Sequence, residues 1–292
     1  MLIGIDGTGS ELMSDVNIMV DDPPEYQRTM KNSFVHQLLR DYKGRGSMYF
    51  RGPTLSGSEC PRIAALCMIA ARVALQADDV VHLTGYSRGG AIAIAVAKQI
   101  GTEFPNARIP VMALFDAVDR ERWFGDLQTI PGTVDCVFHA LRDPIAKSRS
   151  YFGNCGTNAE APCELKKQTF VTTHGGMGGV PLGNAAPIEE KLRIEIGPAM
   201  EKQQSQLVHS WMWANLRKMG IVGSAPVVPS PTAGSVALQR TTHTVRLGDT
   251  LSKLALHYYH NPQLWPKIYA ANKVVIGPNP DMVRPGQVLV IP

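Results

Sequence analysis

The sequence predicts an α/β chain, with a parallel sheet flanked by helices, followed by a small module of βααβ order. Three observations carry this reading. Short apolar runs alternate with helical patterns through residues 1–222, the order expected of parallel strands joined by helical crossovers. At Gly223 the composition changes to GSAPVVPSPTAGS, which cannot bury a core and reads as a semi-extended spacer. Beyond it, apolar periodicity returns. The chain is therefore divided into a first domain at 1–222, a Pro/Ser/Gly-rich linker at 223–241 and a C-terminal module at 242–292.

Within the first domain, Met1 to Asp6 reads as a strand, Tyr26 to Tyr42 as an amphipathic helix and Ser47 to Arg51 as a short strand. Pro61 to Gln76 is a strongly apolar helix with Pro61 in its first turn, where a missing N–H costs nothing. Asp79 to Thr84 is the next strand and Ser87 to Ile100 an alanine-rich helix. Ile109 to Phe115, Val134 to Ala140 and Gln168 to Thr173 complete the strands, and Ala199 to Met219 is a long final helix. In such sheets chemistry gathers beyond the carboxyl ends of the strands.

Composition narrows the function classes. A chain of 292 residues with 44% hydrophobic and 18% charged residues is ordinary for a folded soluble protein. It holds no apolar run of about 18 residues that could span a bilayer. The net charge of +4 comes from scattered rather than clustered Lys and Arg, which argues against nucleic-acid binding. Met1 leads straight into the first strand without a basic region, apolar core or cleavage site, so the expected place of synthesis is the cytoplasm, without the usual secretory route. The five cysteines form no CxxC pair and lie at no zinc-finger spacing, so neither a metal nor another cofactor is expected. Cys60 and Cys67 read as buried helical thiols, whereas Cys155 and Cys163 flank a loop that a disulfide would close in an oxidising compartment.

The residues following each strand form a short set: Asp6-Gly7-Thr8-Gly9, Ser87, Asp116, Asp143 and His174. Ser87 lies in Gly85-Tyr86-Ser87-Arg88-Gly89-Gly90, between an apolar strand and an alanine-rich helix, which is the pattern of a serine nucleophile elbow. A serine hydroxyl needs a histidine to take its proton and a carboxylate to fix the imidazole tautomer. His174, in what reads as a flexible glycine-rich loop after the last strand, is the expected base, with His209 in reserve. His36, His82 and His139 fall inside helices or strands and read as structural. Asp116, at a clean strand end, is the first choice of acid, and Asp143 after the next strand is the alternative. The oxyanion donors are expected at Arg88 N–H and at Gly7 or Thr8 N–H in the open turn after the first strand. No Gly-Lys-Ser/Thr follows that turn, so a nucleotide-binding loop is disfavoured. Candidate lids are the Pro23-Pro24 loop and the segment from Tyr151 to Cys163.

These residues resemble a family of α/β-hydrolases that includes phospholipase effectors of bacterial type VI secretion systems. The likeness covers most of residues 1–185, through Asp6-Gly7-Thr8, GYSRGG, Phe115-Asp116-Ala117-Val118 and His174 to Gly179. It implies an α/β-hydrolase fold, a Ser87, Asp116 and His174 triad, an ester or phospholipid substrate, and secretion-spike and immunity proteins as partners. Two features depart from the family pattern. Gly175-Gly176 stands where Ser-Asp usually follows the histidine, and Ala140-Leu141-Arg142-Asp143-Pro144 replaces an Ala-Leu-Asp-Glu-Arg-like segment.

Residues 242–292 run from Thr-His-Thr-Val-Arg-Leu-Gly-Asp-Thr-Leu-Ser-Lys-Leu-Ala to Val-Arg-Pro-Gly-Gln-Val-Leu-Val-Ile-Pro. His243 to Val245 and Val288 to Ile291 supply two strands, and Leu251 to Ala255 and Trp265 to Asn272 two covering helices. This module resembles a LysM domain, which implies binding of peptidoglycan or another N-acetylglucosamine glycan. By that resemblance the groove is lined by Gly248, Asp249, Thr250 and Leu251 and by the loop Ile276, Gly277, Pro278, Asn279 and Pro280. Alternatively, Trp265 and Tyr269 are core residues of a plain spacer.

Three functions stay open on the sequence. One is a serine esterase acting on lipids at the bacterial envelope, reached by a non-classical export route. Another is an amidase or deacetylase acting on the glycan that the module holds. The third is a non-catalytic cell-wall-binding or secretion-adaptor protein.

Overall fold

A computed structural model describes residues 1–9, 30–54, 56–120, 122–150, 153–181, 195–223, 241–246, 248–259 and 262–291. The chain divides into two units, Met1–Ser224 and Ala225–Pro292. The expected Pro/Ser/Gly-rich linker lies outside the described residues except for its two ends, as does the Pro23-Pro24 loop.

In the first unit, β1 (Leu2–Ile5), α1 (Phe34–Asp41), β2 (Ser47–Phe50), α2 (Cys60–Gln76), β3 (His82–Tyr86), α3 (Arg88–Glu103) and β4 (Ile109–Phe115) alternate as strand and helix. They are followed by β5 (Thr129–Ile130), β6 (Val134–Arg142), β7 (Asn158–Ala159), β8 (Glu164–Phe170), the four-residue helix α4 (His174–Met177) and α5 (Pro198–Lys218). Six strands form one sheet in the order β2-β1-β3-β4-β6-β8, every neighbouring pair parallel. Crossovers run to one side from β1 and to the other from β2, so the topological switch lies between β1 and β3. β5 and β7, two residues each, pair separately and went unread in the sequence.

Period-two alternation of the strands sends their side chains into two cores. Ile3, Ile5, Leu83, Met112, Leu114 and Val137 pack against α2 and α3, where Ala71, Ala93 and Ala97 let the helices lie close to the sheet. Leu2, Val111, Ala113, Phe115 and Phe138 face Val35 and Leu38 of α1 and Val208, Met212 and Trp213 of α5. The sheet is thus covered on both faces, which is why β4, Ile-Pro-Val-Met-Ala-Leu-Phe, reads as a nearly continuous apolar run.

Several elements differ from expectation. Of the expected helix from Tyr26 to Tyr42, Phe34–Asp41 is one helix, which Ser33 caps through His36 N–H at 3.1 Å, so that a turn at 31–33 interrupts the expected run; residues 26–29 lie outside the described residues. β3 starts at His82, because Asp78 takes a positive φ of 55° after α2 and the Asp79 carboxylate accepts from the amino terminus of Met1. β8 covers Glu164–Phe170 rather than Gln168–Thr173. It is an edge strand whose polar residues hide its beginning, and Thr173 leaves the sheet to cap α4. The loop expected to carry a mobile His174 is instead the buried helical turn α4. All five cysteines are free; Cys60, Cys67, Cys136 and Cys155 are buried, and no Cys155 to Cys163 bridge is present.

The second unit comprises β9 (Thr241–Thr244), α6 (Leu251–Tyr259), α7 (Trp265–Ile276) and β10 (Val288–Ile291), with β9 and β10 antiparallel. Val245, Leu251, Leu254, Ala255, Ile268, Ile276, Leu289 and Ile291 form its core. No helix among the described residues is long and apolar enough to cross a membrane.

Candidate active site and glycan groove

Ser87 sits between the last residue of β3 and the first of α3, at φ 56° and ψ −127°. This left-handed backbone costs a serine about 1–3 kcal/mol and persists only where the surroundings impose it. The imposing contacts are visible. A Cβ on Gly85 would meet Gly89 O at 2.4 Å, and one on Gly89 would meet Ile5 O at 2.2 Å and Asp6 O at 2.4 Å. Only glycines let α3 pass this close to β3 and β1. Ser87 N–H donates to Phe115 O at 3.0 Å, and Ser87 O accepts from Val118 N–H at 3.0 Å, pinning the turn to the end of β4.

The side chains of three of the expected residues meet. His174 Nε2 lies 2.8 Å from Ser87 Oγ, and His174 Nδ1 lies 2.6 Å from Asp116 Oδ2. Asp116 is fully buried, and Ser87 and His174 are each 5% exposed. Burial pushes the Asp116 carboxyl up, but the His174 hydrogen bond and charge, then Arg142 and Asn154, more than reverse this and hold it below the ordinary carboxylate range. Burial also lowers the His174 pKa below its ordinary 6.5, against the upward pull of Asp116. The resting state is therefore a carboxylate beside a neutral imidazole. Its Nδ1–H is given to Asp116, and Nε2 is placed to accept the Ser87 proton.

Supporting residues fix this geometry. Asp116, at φ 46° past β4, takes Asn154 Nδ2–H at 2.7 Å and Arg142 N–H at 3.2 Å on Oδ1, and Arg142 Nη1 lies 3.5 Å from Oδ2. His174 N–H donates to Ser148 Oγ at 2.9 Å, and Tyr86 Oη–H donates to His174 O at 2.9 Å. Thr173 caps the turn through Gly176 N–H at 2.9 Å, while its own hydroxyl donates to the buried Glu201 carboxylate of α5. Asn154, Ser148 and Glu201 went unread in the sequence, because no spacing links them to the residues they hold.

The remaining expectations sort clearly. Asp143 does not touch His174; its carboxylate caps the 3-10 turn Pro144–Ala146 through Ile145 N–H at 3.0 Å. His209 stacks on Trp213 at 3.9 Å between ring centroids, on α5 rather than beside Ser87. His139 is structural: Nε2 accepts from Ala117 N–H at 3.2 Å and Nδ1 lies 3.1 Å from Gly156 O, while burial holds its pKa down to about 4. In the Tyr151 to Cys163 segment, of which residues 153–163 are described, Asn154 is tied to the acid. Asn154 also reaches Ala117 O at 3.1 Å, and Cys155 N–H donates to the same carbonyl at 3.1 Å.

At the oxyanion position Arg88 heads α3, where the first-turn N–H groups have no carbonyl four residues back. Of the two residues expected to give the second donor, Gly7 is excluded as a free one, since its N–H donates to Asp6 Oδ1 at 2.9 Å. Thr8 N–H makes no hydrogen bond among the described residues. The turn lies beside the serine: a Cβ on Gly7 would come 3.4 Å from Ser87 Cβ. No group of three His, Cys, Asp or Glu side chains suited to a metal ion occurs among the described residues.

In the second unit, a groove of about 310 Å³ is lined by Asp249, Thr250, Leu251 and Ser252 from one side and by Trp265, Pro280, Asp281 and Val283 from the other. The expected loops are therefore juxtaposed, but not by all the expected residues. Ile276 is a core side chain, and Leu251 is largely one, while Gly248, Gly277 and Pro278 are absent from this lining. Asp249 is held by His243 Nε2 at 2.9 Å and by Arg246 N–H at 2.8 Å. Its carboxyl is lowered first by the Arg246 N–H and then by His243. Tyr269 packs against the core with Trp265, as the alternative reading has it, and its Oη lies 3.0 Å from Gly277 O and 2.9 Å from Pro278 O, bracing that loop as well.

Comparison with known proteins finds similarity to several over parts of the chain. Potassium binding protein Kbp of Escherichia coli O6:H1 (strain CFT073) is 40% identical over 72 residues, 25% of this chain and 48% of that protein. An uncharacterized protein of Deinococcus radiodurans is 46% identical over 52 residues, 18% of this chain and 19% of its own length. The chain thus spans about half or less of the curated relatives it matches. A solved structure of an uncharacterized protein from Pseudomonas aeruginosa aligns over 77% of this chain and 46% of its own, with a TM-score of 0.43 and 13% identity. Residues 243–292 match the LysM family and form a LysM domain.

Proposed function

We propose that the first unit is a serine hydrolase of the α/β-hydrolase type, cleaving carboxylic esters of lipids, and that the LysM domain holds it to N-acetylglucosamine glycan of a bacterial envelope. The observation that carries the reading is the hydrogen-bonded chain Ser87, His174, Asp116, with Ser87 at a positive φ. The chain order Ser, Asp, His and the serine at a strand-to-helix turn are those of α/β-hydrolases. Phospholipid as substrate, and secretion as a type VI effector with spike and immunity partners, rest on the likeness of the sequence motifs.

In this reading Ser87 Oγ attacks the ester carbonyl carbon as its proton passes to His174 Nε2. Asp116, still ionised, stabilises the imidazolium, and the carbonyl oxygen becomes an oxyanion facing Arg88 N–H and Thr8 N–H. His174 then returns the proton to the departing alcohol oxygen, leaving Ser87 acylated. Water, deprotonated by the same imidazole, attacks the acyl carbon, and His174 returns that proton to Ser87 Oγ as the Ser87 ester bond breaks and the acid leaves. The buried, pre-bonded triad supplies general-base catalysis, and the paired N–H groups supply electrostatic stabilisation, each worth about two or more powers of ten.

A lipid-class panel tests this, with phospholipids, neutral glycerides, short-chain esters and peptidoglycan fragments offered to wild type and to Ser87→Ala. Release of fatty acid by wild type alone supports the reading. Release of acetate or a peptide from peptidoglycan fragments would instead favour the amidase or deacetylase, a reading supported by the presence of a LysM domain in the same chain. No turnover with retained glycan binding would leave a binding protein.

A further inference from the structure

We propose that the Arg88 side chain is a positioning residue that sets the oxyanion pocket, by clamping the Thr8 turn to the nucleophile turn; the proposal rests on the hydrolase reading above. Arg88 follows Ser87 directly, yet its side chain turns inward and the residue is only 5% exposed. Its Nη1 donates to Thr8 Oγ1 at 3.0 Å and lies 3.3 Å from Thr54 O. Thr8 follows β1, Thr54 follows β2 and Arg88 follows β3. One guanidinium thereby joins the ends of three adjacent strands at the switch point of the sheet.

The turn needs such a tie. The ladder between β1 and β3 ends with Ile5 opposite Gly85, so Gly7 and Thr8 lie beyond its last rung. Gly7 cannot stiffen the turn by bearing a side chain, since its Cβ would come 2.6 Å from the Tyr86 ring. On the β2 side the turn is held by Gly9 N–H donating to Pro53 O at 3.0 Å. Toward the nucleophile, the bond from Arg88 to Thr8 does the corresponding work. A donor displaced by about 1 Å loses about a hundredfold in rate, so the position of Thr8 N–H is a kinetic quantity. Arginine suits the task because one Nη1 carries two protons on a long side chain and so reaches two acceptors at once.

The test compares Arg88→Met, Thr8→Val, their double variant and Thr8→Ser in ester hydrolysis by the full chain. Thr8→Val keeps the backbone N–H and removes only the acceptor. Each single variant is expected to lower kcat about 10–100-fold with KM within about threefold, and the double variant to fall no further than the worse single one. Thr8→Ser should recover most of the loss, and affinity for an alkyl boronic acid, which mimics the tetrahedral adduct, should fall in parallel with kcat. Independent losses that multiply, losses confined to KM, or wild-type rates in both single variants would overturn the clamp. Should Arg88→Met fail to fold, the contrast of Thr8→Val with Thr8→Ser decides alone. Failure of wild type to react with a fluorophosphonate would remove the hydrolase reading itself, a result separate from any of these.

Discussion

Asp116 Oδ2 and His174 Nδ1 lie 2.6 Å apart inside the first unit, although 58 residues separate them in the chain. The carboxylate comes from the end of β4 and the imidazole from the turn after β8, and the sheet order β4-β6-β8 places a whole strand between their parent strands. The acid reaches the base because its positive φ turns it off the β4 axis and Asn154 and Arg142 hold it there.

Replacing that carboxylate by an amide keeps the shape and loses the tautomer control. Asp116→Asn should lower kcat for ester hydrolysis about 10⁴-fold, as in triads where the acid is made neutral. Asp143→Asn, which touches only the Pro144–Ala146 turn, should stay within about twofold of wild type. Steady-state kinetics of the two variants check this.

The pH profile follows from the neutral resting imidazole. Burial lowers the His174 pKa below 6.5, so the base is unprotonated and competent at neutral pH. Activity should fall as pH drops through the lowered value, since a protonated Nε2 cannot take the serine proton. A kcat/KM profile with its acidic midpoint above 6.5 would contradict the assignment.

The elbow predicts a steric limit. Gly89→Ala would drive a methyl against the Ile5 and Asp6 carbonyls, and should cost at least about 2 kcal/mol, or about 4–8 °C in Tm for a unit of this size. Gly153→Ala, with nothing within 4 Å of the added carbon, should leave Tm unchanged within about 1 °C. Differential scanning fluorimetry separates the two.

For the LysM groove, Thr250→Ala and Asp281→Ala remove polar groups from its lining without touching its core. Together they should weaken co-sedimentation of the full chain with peptidoglycan about tenfold, equivalent to about 1.4 kcal/mol. Hydrolysis of a soluble short-chain ester should not change.

Which parts of this were readable in the sequence follows from where the information lies. Ser87, with a glycine two positions away on either side and an apolar strand before it, carries its own local signature. β4 is readable because burial on both faces makes its apolar run nearly continuous, and β1, β3 and β6 because short apolar stretches alternate with helical patterns. β8 is hard to place in the sequence because an edge strand has no such run, and α4 because Gly175-Gly176 are poor helix formers that Thr173, Ser205 and Glu201 help to hold in place. The choice of Asp116 over Asp143 and the exclusion of Gly7 as a free donor depend on side chains distant in the chain. In the groove, Ile276 was assigned to the lining because a loop resemblance does not say which way a side chain turns.

The most direct measurement is intact-mass detection of fluorophosphonate labelling, with wild type beside Ser87→Ala at neutral pH. A single adduct on wild type, mapped to the peptide containing Ser87 and absent from the variant, is the result expected of an activated serine. Equal labelling of both proteins, or none on either, would contradict the assignment of Ser87 as nucleophile.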